Sequence, residues 1–200
     1  MRALKVAEYV LTAAGVLLLG YCAVEFVESR FFESHQAHKF AQELRTAPPR
    51  SATPLPAMPP PRDGAVVGRL EIPRLGVSVM VVEGVDDGDL NRAAGHIPGT
   101  AFPGQTGNVG IAAHRDTFFR PLRNVKADDT ISLQTLRGTY RYRVVSTSIV
   151  NPDDVRVLDP TGGSTLTLVT CYPFYYIGSA PRRFIVRAQL LPSVHPKAQS

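Results

Sequence analysis

The chain has 200 residues, 44% of them apolar and 20% charged, which suits one folded domain with accessory segments and excludes a disordered chain. Its formal charge of +5 comes from Lys and Arg scattered without a run longer than two; with no zinc-finger spacing and no RNP motif, nucleic-acid binding is set aside. A basic face toward an anionic membrane or cell wall accounts better for the charge.

Tyr9 to Val24 is a run of 16 residues without a charge, and it reaches 19 residues at Val27 if Glu25 is included. A helix of that length spans about 28 Å, close to the ~30 Å of a bilayer's hydrocarbon core. Arg2 and Lys5 precede the run, and Glu25, Glu28 and Glu33 follow it. The positive-inside rule then puts 1–8 in the cytoplasm, an anchor at 9–27, and the rest outside the cell membrane. A cleaved signal peptide is the alternative, although the run is long for one and no A-x-A site follows it. Residues 25–45, with Phe26, Phe31, Phe32, Phe40 and Leu44 among charges, read as a juxtamembrane helix. Prolines at 48, 49, 54, 56, 59, 60 and 61 then predict an extended polyproline spacer, so that 28–63 holds a folded domain away from the bilayer.

That domain, 64–191, reads as mostly strand. VVGRLEIP (66–73) and VSVMVVEG (77–84) are joined by a tight connection at Arg74-Leu75-Gly76. NVGIAAH (108–114) is a buried strand, TISLQTL (130–136) and TYRYRVVSTSIV (139–150) form a hairpin, and TLTLVTC (165–171) and RRFIVRAQL (182–190) complete the set. Helical pieces are short, near 87–93, 117–125 and 152–157. Many strands with few helices predict a sandwich or a closed barrel. Pro192 and the polar tail 192–200 end the fold.

Only two cysteines are present, and Cys22 lies in the apolar run, so Cys171 has no obvious disulfide partner and no metal-site spacing arises. A lone cysteine is more often a buried small hydrophobe than a nucleophile. Two features favour the nucleophile. Pro173 ends the strand beside Cys171, which leaves the thiol at the rim of the sheet, and a solitary thiol outside the cell needs a reason. A free thiol has a pKa of about 8.5 and needs a base or a cation beside it. His35, His38 and His195 fall outside the domain. His114 follows a buried strand, whereas His96 in AAGHIPGTAFPG reads as a loop residue with a turn or packing role. A fixed cation for an oxyanion is available among Arg182, Arg183 and Arg187, with Arg183, Ile185 and Arg187 on one face of the last strand. For each arginine alone, simple solvation is the competing reading.

TLVTC at 167–171 resembles the TLxTC signature of sortases. The histidine ending GNVGIAAH and the arginine heading RRFIVRA fit the same family, and HIPGTAFPGQTGNVGIAAHRDTFFRPL is most similar to class D sortases. The resemblance covers roughly 64–190. It implies an all-β, eight-stranded closed sortase barrel and a Cys-His-Arg site composed of Cys171, His114 and Arg183. Thr170 and Arg182 are candidates for contact with substrate, and neither cofactor nor metal is implied. Two positions depart from the family pattern: Ala113 replaces the usual glycine before the histidine, and Arg182 stands next to Arg183. Asp116 in His-Arg-Asp fits a helix N-cap better than a third catalytic group.

The implied reaction is cleavage of an LPxTG-like C-terminal signal on secreted proteins, followed by transfer to an amine of the cell wall or of a pilin. Two rivals remain from the sequence. One is an L,D-transpeptidase, whose S-x-G-C pattern is missing, and the other is a membrane-tethered β-domain without activity.

Overall fold

The computed structural model describes residues 2–46 and 61–192, with side chains of the first segment described at 5–21, 23 and 34–45. Most of the proline-rich tract and the tail beyond 192 lie outside the described residues. Helix α1 (Arg2–Thr46) runs without interruption through both the apolar run and the amphipathic stretch after it. Phe40 is buried where α1 meets the first two strands. Among the described residues, no helix is long and apolar enough to cross a membrane.

Eight strands close a barrel: β1 (Val66–Ile72), β2 (Val77–Glu83), β3 (Ala94–His96), β4 (Gly107–Ala112), β5 (Thr130–Thr135), β6 (Gly138–Val150), β7 (Ser164–Tyr172) and β8 (Arg182–Leu190). Their order around the barrel is β1-β2-β3-β4-β7-β8-β6-β5, so no sheet edge is left open. The β2–β3 and β4–β7 pairs are parallel and the others antiparallel. The expected short helices are present as α2 (Asp87–Leu90) and as 3₁₀ turns at Arg120–Asn124 and Val155–Leu158.

Alternation fills the barrel. Leu70 and Ile72, Val79 and Val81, Val109 and Ile111, Ile131 and Leu133, Tyr142 and Val144, Leu166 and Leu168, Val186 and Ala188 all belong to one core. Phe119 and Leu122 plug it from the segment after β4. A buried side chain of this size contributes about 1.5–3 kcal/mol, and a one-residue slip would turn a strand's whole set outward. The core therefore sets which residues of β4, β7 and β8 face out.

Gly76 closes the β1–β2 turn in the left-handed conformation (φ 65°), as the Arg74-Leu75-Gly76 connection requires. Arg74 in that turn donates to both carboxylate oxygens of Asp129, with Nη2 at 2.6 Å from Oδ2. The Lys126 N–H adds a bond of 2.8 Å to the same Oδ2. These bonds, Arg74's foremost, hold the Asp129 carboxyl below the usual carboxylate range. A depressed carboxyl stabilises the fold fully above its unfolded pKa of about 3.9 and less as the pH falls through the native value. Asp129→Asn is therefore expected to lower the unfolding midpoint at pH 7, and the gap to the parent should narrow as the pH falls below the ordinary carboxylate range, as thermal melts across pH would record.

One expectation is corrected. His96 is on strand β3, not in a loop, and it is fully buried. β3 has three residues, too few to carry a period. It forms because Ala94, Gly95 and His96 pair with Val81, Val82 and Glu83 of β2, while Gly95 and His96 pair with β4. A Cβ on Gly95 would lie 2.1 Å from the Gly84 carbonyl oxygen, so only glycine fits. His96 Nδ1 is 2.7 Å from Glu83 Oε2, its Nε2 is 3.0 Å from the Ala101 carbonyl, and its ring stacks on Phe102 at 4.5 Å. The pair pins the β3–β4 loop to the barrel. Removing one partner of a buried hydrogen bond leaves the other unsatisfied, at a cost of about 1–3 kcal/mol. His96→Ala is expected to lose that much in urea denaturation.

Candidate active site

On β7 the core residues Leu166 and Leu168 point inward, so Thr165, Thr167, Val169 and Cys171 line the outer face. Cys171 is half-buried, near the end of the strand, and is a free thiol. The next strand in the barrel, β8, runs antiparallel with Cys171 directly opposite Arg183 and Tyr172 opposite Arg182. Opposed residues of an antiparallel pair share a face, with Cβ atoms about 4.5–5.5 Å apart. Arg183 therefore stands beside the thiol, while Arg182 belongs to the other face, with Tyr172. There Tyr172, Phe174 and Phe184 form an aromatic cluster with centroid separations of 5.3–6.3 Å. Arg183 Nη1 donates to the carbonyls of Ala180 (3.3 Å) and Arg182 (3.1 Å). None of the ion pairs among the described residues involves Arg183, so its charge is not neutralised by a carboxylate.

On the other side of β7, β4 runs parallel, with Ala112 paired to Val169. The Ala113 N–H continues the ladder to the Val169 carbonyl at 3.2 Å. Val109, Ile111 and Ala113 face the core, so Ala112 and His114 face out. Two residues past the Ala112–Val169 pair, His114 and Cys171 come level on neighbouring strands. His114, just past the end of β4, thus flanks the Cys171–Arg183 pair of β7 and β8 on the outer face of the barrel. The His114 carbonyl accepts from the Phe119 N–H at 3.1 Å, and the fully buried Phe119 anchors this turn in the core.

Below these three residues, Ala112, Val169 and Ile185 form an apolar floor. The segment 155–159 bounds the floor at the end away from Cys171. The Val157 carbonyl accepts from Asn108 Nδ2 at 3.0 Å and from Arg187 Nη2 at 2.8 Å, and Leu158 comes close to Gly110. From the level of Thr167 and Arg187, where this strap lies, to Cys171 is four residues of strand, or about 13 Å. A hollow of about 510 Å³ lined by Thr161, Ser164, Thr165, Arg187 and Gln189 opens at the opposite end of the strands and holds neither a thiol nor an imidazole.

Three expectations look different in the structure. Thr170, a candidate for substrate contact, faces inward at 2% exposure, and its hydroxyl donates to the Ala113 carbonyl at 2.7 Å. It ties the histidine's strand to the cysteine's. Arg182 is exposed on the face away from Cys171. Asp116 caps no helix: the 3₁₀ turn begins at Arg120, with Phe119 at its N-cap and no side-chain cap, and Asp116 is exposed. The residue that sequence reasoning passed over is Arg115, whose Nη2 reaches the Tyr176 carbonyl at 2.6 Å and the Gly178 carbonyl at 2.9 Å. Its only signal in the sequence is its place next to His114.

A model of the sortase domain matches residues 70–191. The chain belongs to the sortase family. Among curated relatives of this sortase, Sortase D of Bacillus subtilis (strain 168) is 32% identical over 190 residues, covering 91% of this chain and 96% of that one. Sortase A of Listeria monocytogenes is 33% identical over 111 residues, 54% of this chain and 50% of its own. Among solved structures, a Clostridium perfringens Sortase D5 transpeptidase superposes with a TM-score of 0.63 at 25% identity, covering 82% of this chain and 98% of that one. The protein is thus a sortase-type cysteine transpeptidase with the eight-stranded barrel expected of it, and both rival readings give way.

Proposed function

We propose that this sortase cleaves an LPxTG-like signal near the C-terminus of secreted proteins, between Thr and Gly, and joins the new end to an amine of the cell wall or of a pilin. The observation that carries the reading is the outward placement of a histidine just past the end of β4, a free thiol on β7 and, opposite it on β8, an arginine with no carboxylate partner. The apolar floor below these residues supports it. Its length of about 13 Å accommodates about four extended residues, the number that precedes the scissile bond in such a signal.

The Cys171 thiolate attacks the threonine carbonyl carbon, and the negative charge moves to the oxygen. Arg183, always protonated and many-handed, donates to that oxyanion. As the tetrahedral intermediate collapses, the C–N bond breaks and His114 gives its proton to the departing glycine amine. The thioester on Cys171 then meets the incoming amine. Neutral His114 accepts the proton that this amine loses, a new amide forms, and the thiolate leaves. Strands β7 and β8 hold Cys171 and Arg183, and the turn anchored by Phe119 holds His114, so little reorganisation is needed at each step.

We further propose that residues 9–27 of α1 anchor the protein in the cell membrane with the barrel outside the cytoplasm. Val16, Leu17, Leu18 and Leu19 are consecutive, point to all sides of the helix and are 64–75% exposed. Apolar side chains exposed on all sides of a helix suit a lipid surrounding. Protease protection in spheroplasts tests this: the barrel should be digested from outside and the first residues should not, and a barrel that is protected overturns it.

The test of the reaction is to incubate the full chain in detergent with peptides of the LPxTG type and an amine acceptor, and to follow thioester and ligated product by mass spectrometry. A thioester mapped to Cys171 together with ligated peptide is the expected result. Turnover with no acyl group on Cys171 overturns it.

A further inference from the structure

The loop between β7 and β8, residues 173–181, joins the strand of Cys171 to the strand of Arg183 and carries unusual exposed apolar side chains. Tyr175 is 73% and Ile177 97% exposed. Phe174 at the start of the loop packs on the core and Arg183 bonds the Ala180 carbonyl near its end, but the exposed middle of the loop is tied by the turn that follows His114. Arg115 Nη2 donates to the carbonyls of Tyr176 and Gly178, on either side of Ile177, at 2.6 and 2.9 Å. The Arg115 guanidinium also lies over the Tyr176 ring, 5.9 Å from its centroid, and Arg123 lies over Tyr175 at 5.4 Å. Hydrogen bonds from a charged donor are about twice as strong as neutral ones, and the cation–π contacts add to them.

Arg115 is the immediate neighbour of His114, so whatever holds its side chain also restrains the backbone that aims the imidazole. We infer that Arg115 is a positioning residue: it clamps the β7–β8 loop to the histidine turn, so that His114 and the Cys171–Arg183 pair keep one spacing. The inference deepens the reaction proposed above and rests on it for its kinetic consequence. The clamp itself is testable without turnover. The thioester chemistry needs the base within hydrogen-bond reach of the proton it moves, and a misplacement of about 1 Å can cost on the order of a hundredfold in rate.

The experiment compares the full chain in detergent with Arg115→Met, which keeps the length of the side chain but donates nothing, and Arg115→Lys, which keeps a charged donor. Chymotrypsin cuts after exposed tyrosine, so cleavage after Tyr175 or Tyr176 should quicken about tenfold in Arg115→Met as the loop is released. Alkylation of Cys171 by iodoacetamide at pH 7, mapped apart from Cys22 by mass spectrometry, should move toward the rate of His114→Ala. With an LPxTG-type peptide, kcat should fall about 10- to 100-fold while KM stays within about threefold, and Arg115→Lys should recover part of the loss in all three measurements. Cleavage and alkylation that match the parent in Arg115→Met overturn the clamp, as does a loss confined to KM. If the parent turns over no such peptide, the proposed substrate fails, and the chymotrypsin and alkylation arms still decide for or against Arg115.

Discussion

Cys171→Ala is expected to lower kcat/KM for an LPxTG-type peptide by at least about 10⁴-fold, with no acyl adduct detectable by mass spectrometry. An effect of that size follows from the chemistry. With the sulfur gone there is no covalent intermediate to divide amide cleavage into two easier steps, and only binding and oxyanion stabilisation remain. Folding should be unaffected, because Cys171 is on the outer face and half-buried rather than in the core. Equal thermal melts for variant and parent provide that control. Turnover within about tenfold of the parent would remove Cys171 from the mechanism and leave His114 and Arg183 without their nucleophile.

The second large effect separates two neighbours. Arg183→Ala should reduce kcat by about 10²–10³-fold, the usual loss when one oxyanion donor is removed, whereas Arg182→Ala should stay within about threefold. The difference arises from geometry alone, since both residues carry the same charge. Arg183 is opposite Cys171 and Arg182 is opposite Tyr172. A general electrostatic role would make the two losses similar and salt-sensitive. A reversed order of losses would require the β7–β8 register to slip by one residue. That slip would turn either Leu166 and Leu168 of β7 or Val186 and Ala188 of β8 out of the core, at a cost of several kcal/mol. Arg183→Lys is a useful companion, because a single ammonium does not reproduce a planar fork of donors, and only partial recovery is expected.

Much of this architecture was legible in the chain itself. The strands of 66–73, 77–84, 130–136, 139–150, 165–171 and 182–190 were read from alternation and turn residues, and all are present within a residue or two at their ends. Pro173 marked Cys171 as a strand-end thiol, and the parity of β8 placed Arg183, Ile185 and Arg187 on one face. Alternation persists wherever one face of a strand is buried, and that is why it can be read without a structure.

What it could not convey is pairing between distant segments. β3 escaped notice because three residues carry no period, so His96 was read as a loop residue although Glu83 and Ala101 hold it in the core. Thr170, adjacent to Cys171 in TLVTC, looked like part of a groove; adjacent residues of a strand face opposite ways, and it points inward to bond the Ala113 carbonyl. Arg115 acts across 61 and 63 positions of sequence, on the carbonyls of Tyr176 and Gly178, and no local pattern records such a bond.

The sequence by itself determined that this protein is a strand-rich domain behind an apolar helix, with one thiol at a strand end and a histidine and an arginine pair at two others. Only the closed barrel decided which residues meet. It set β4 beside β7 and β7 beside β8, and so brought His114 and Arg183 to either side of Cys171 while turning Arg182 and Thr170 away. The physical reason is that parity along a strand is a local property, enforced residue by residue by burial. Register between strands is a global one, chosen by the packing of all eight at once.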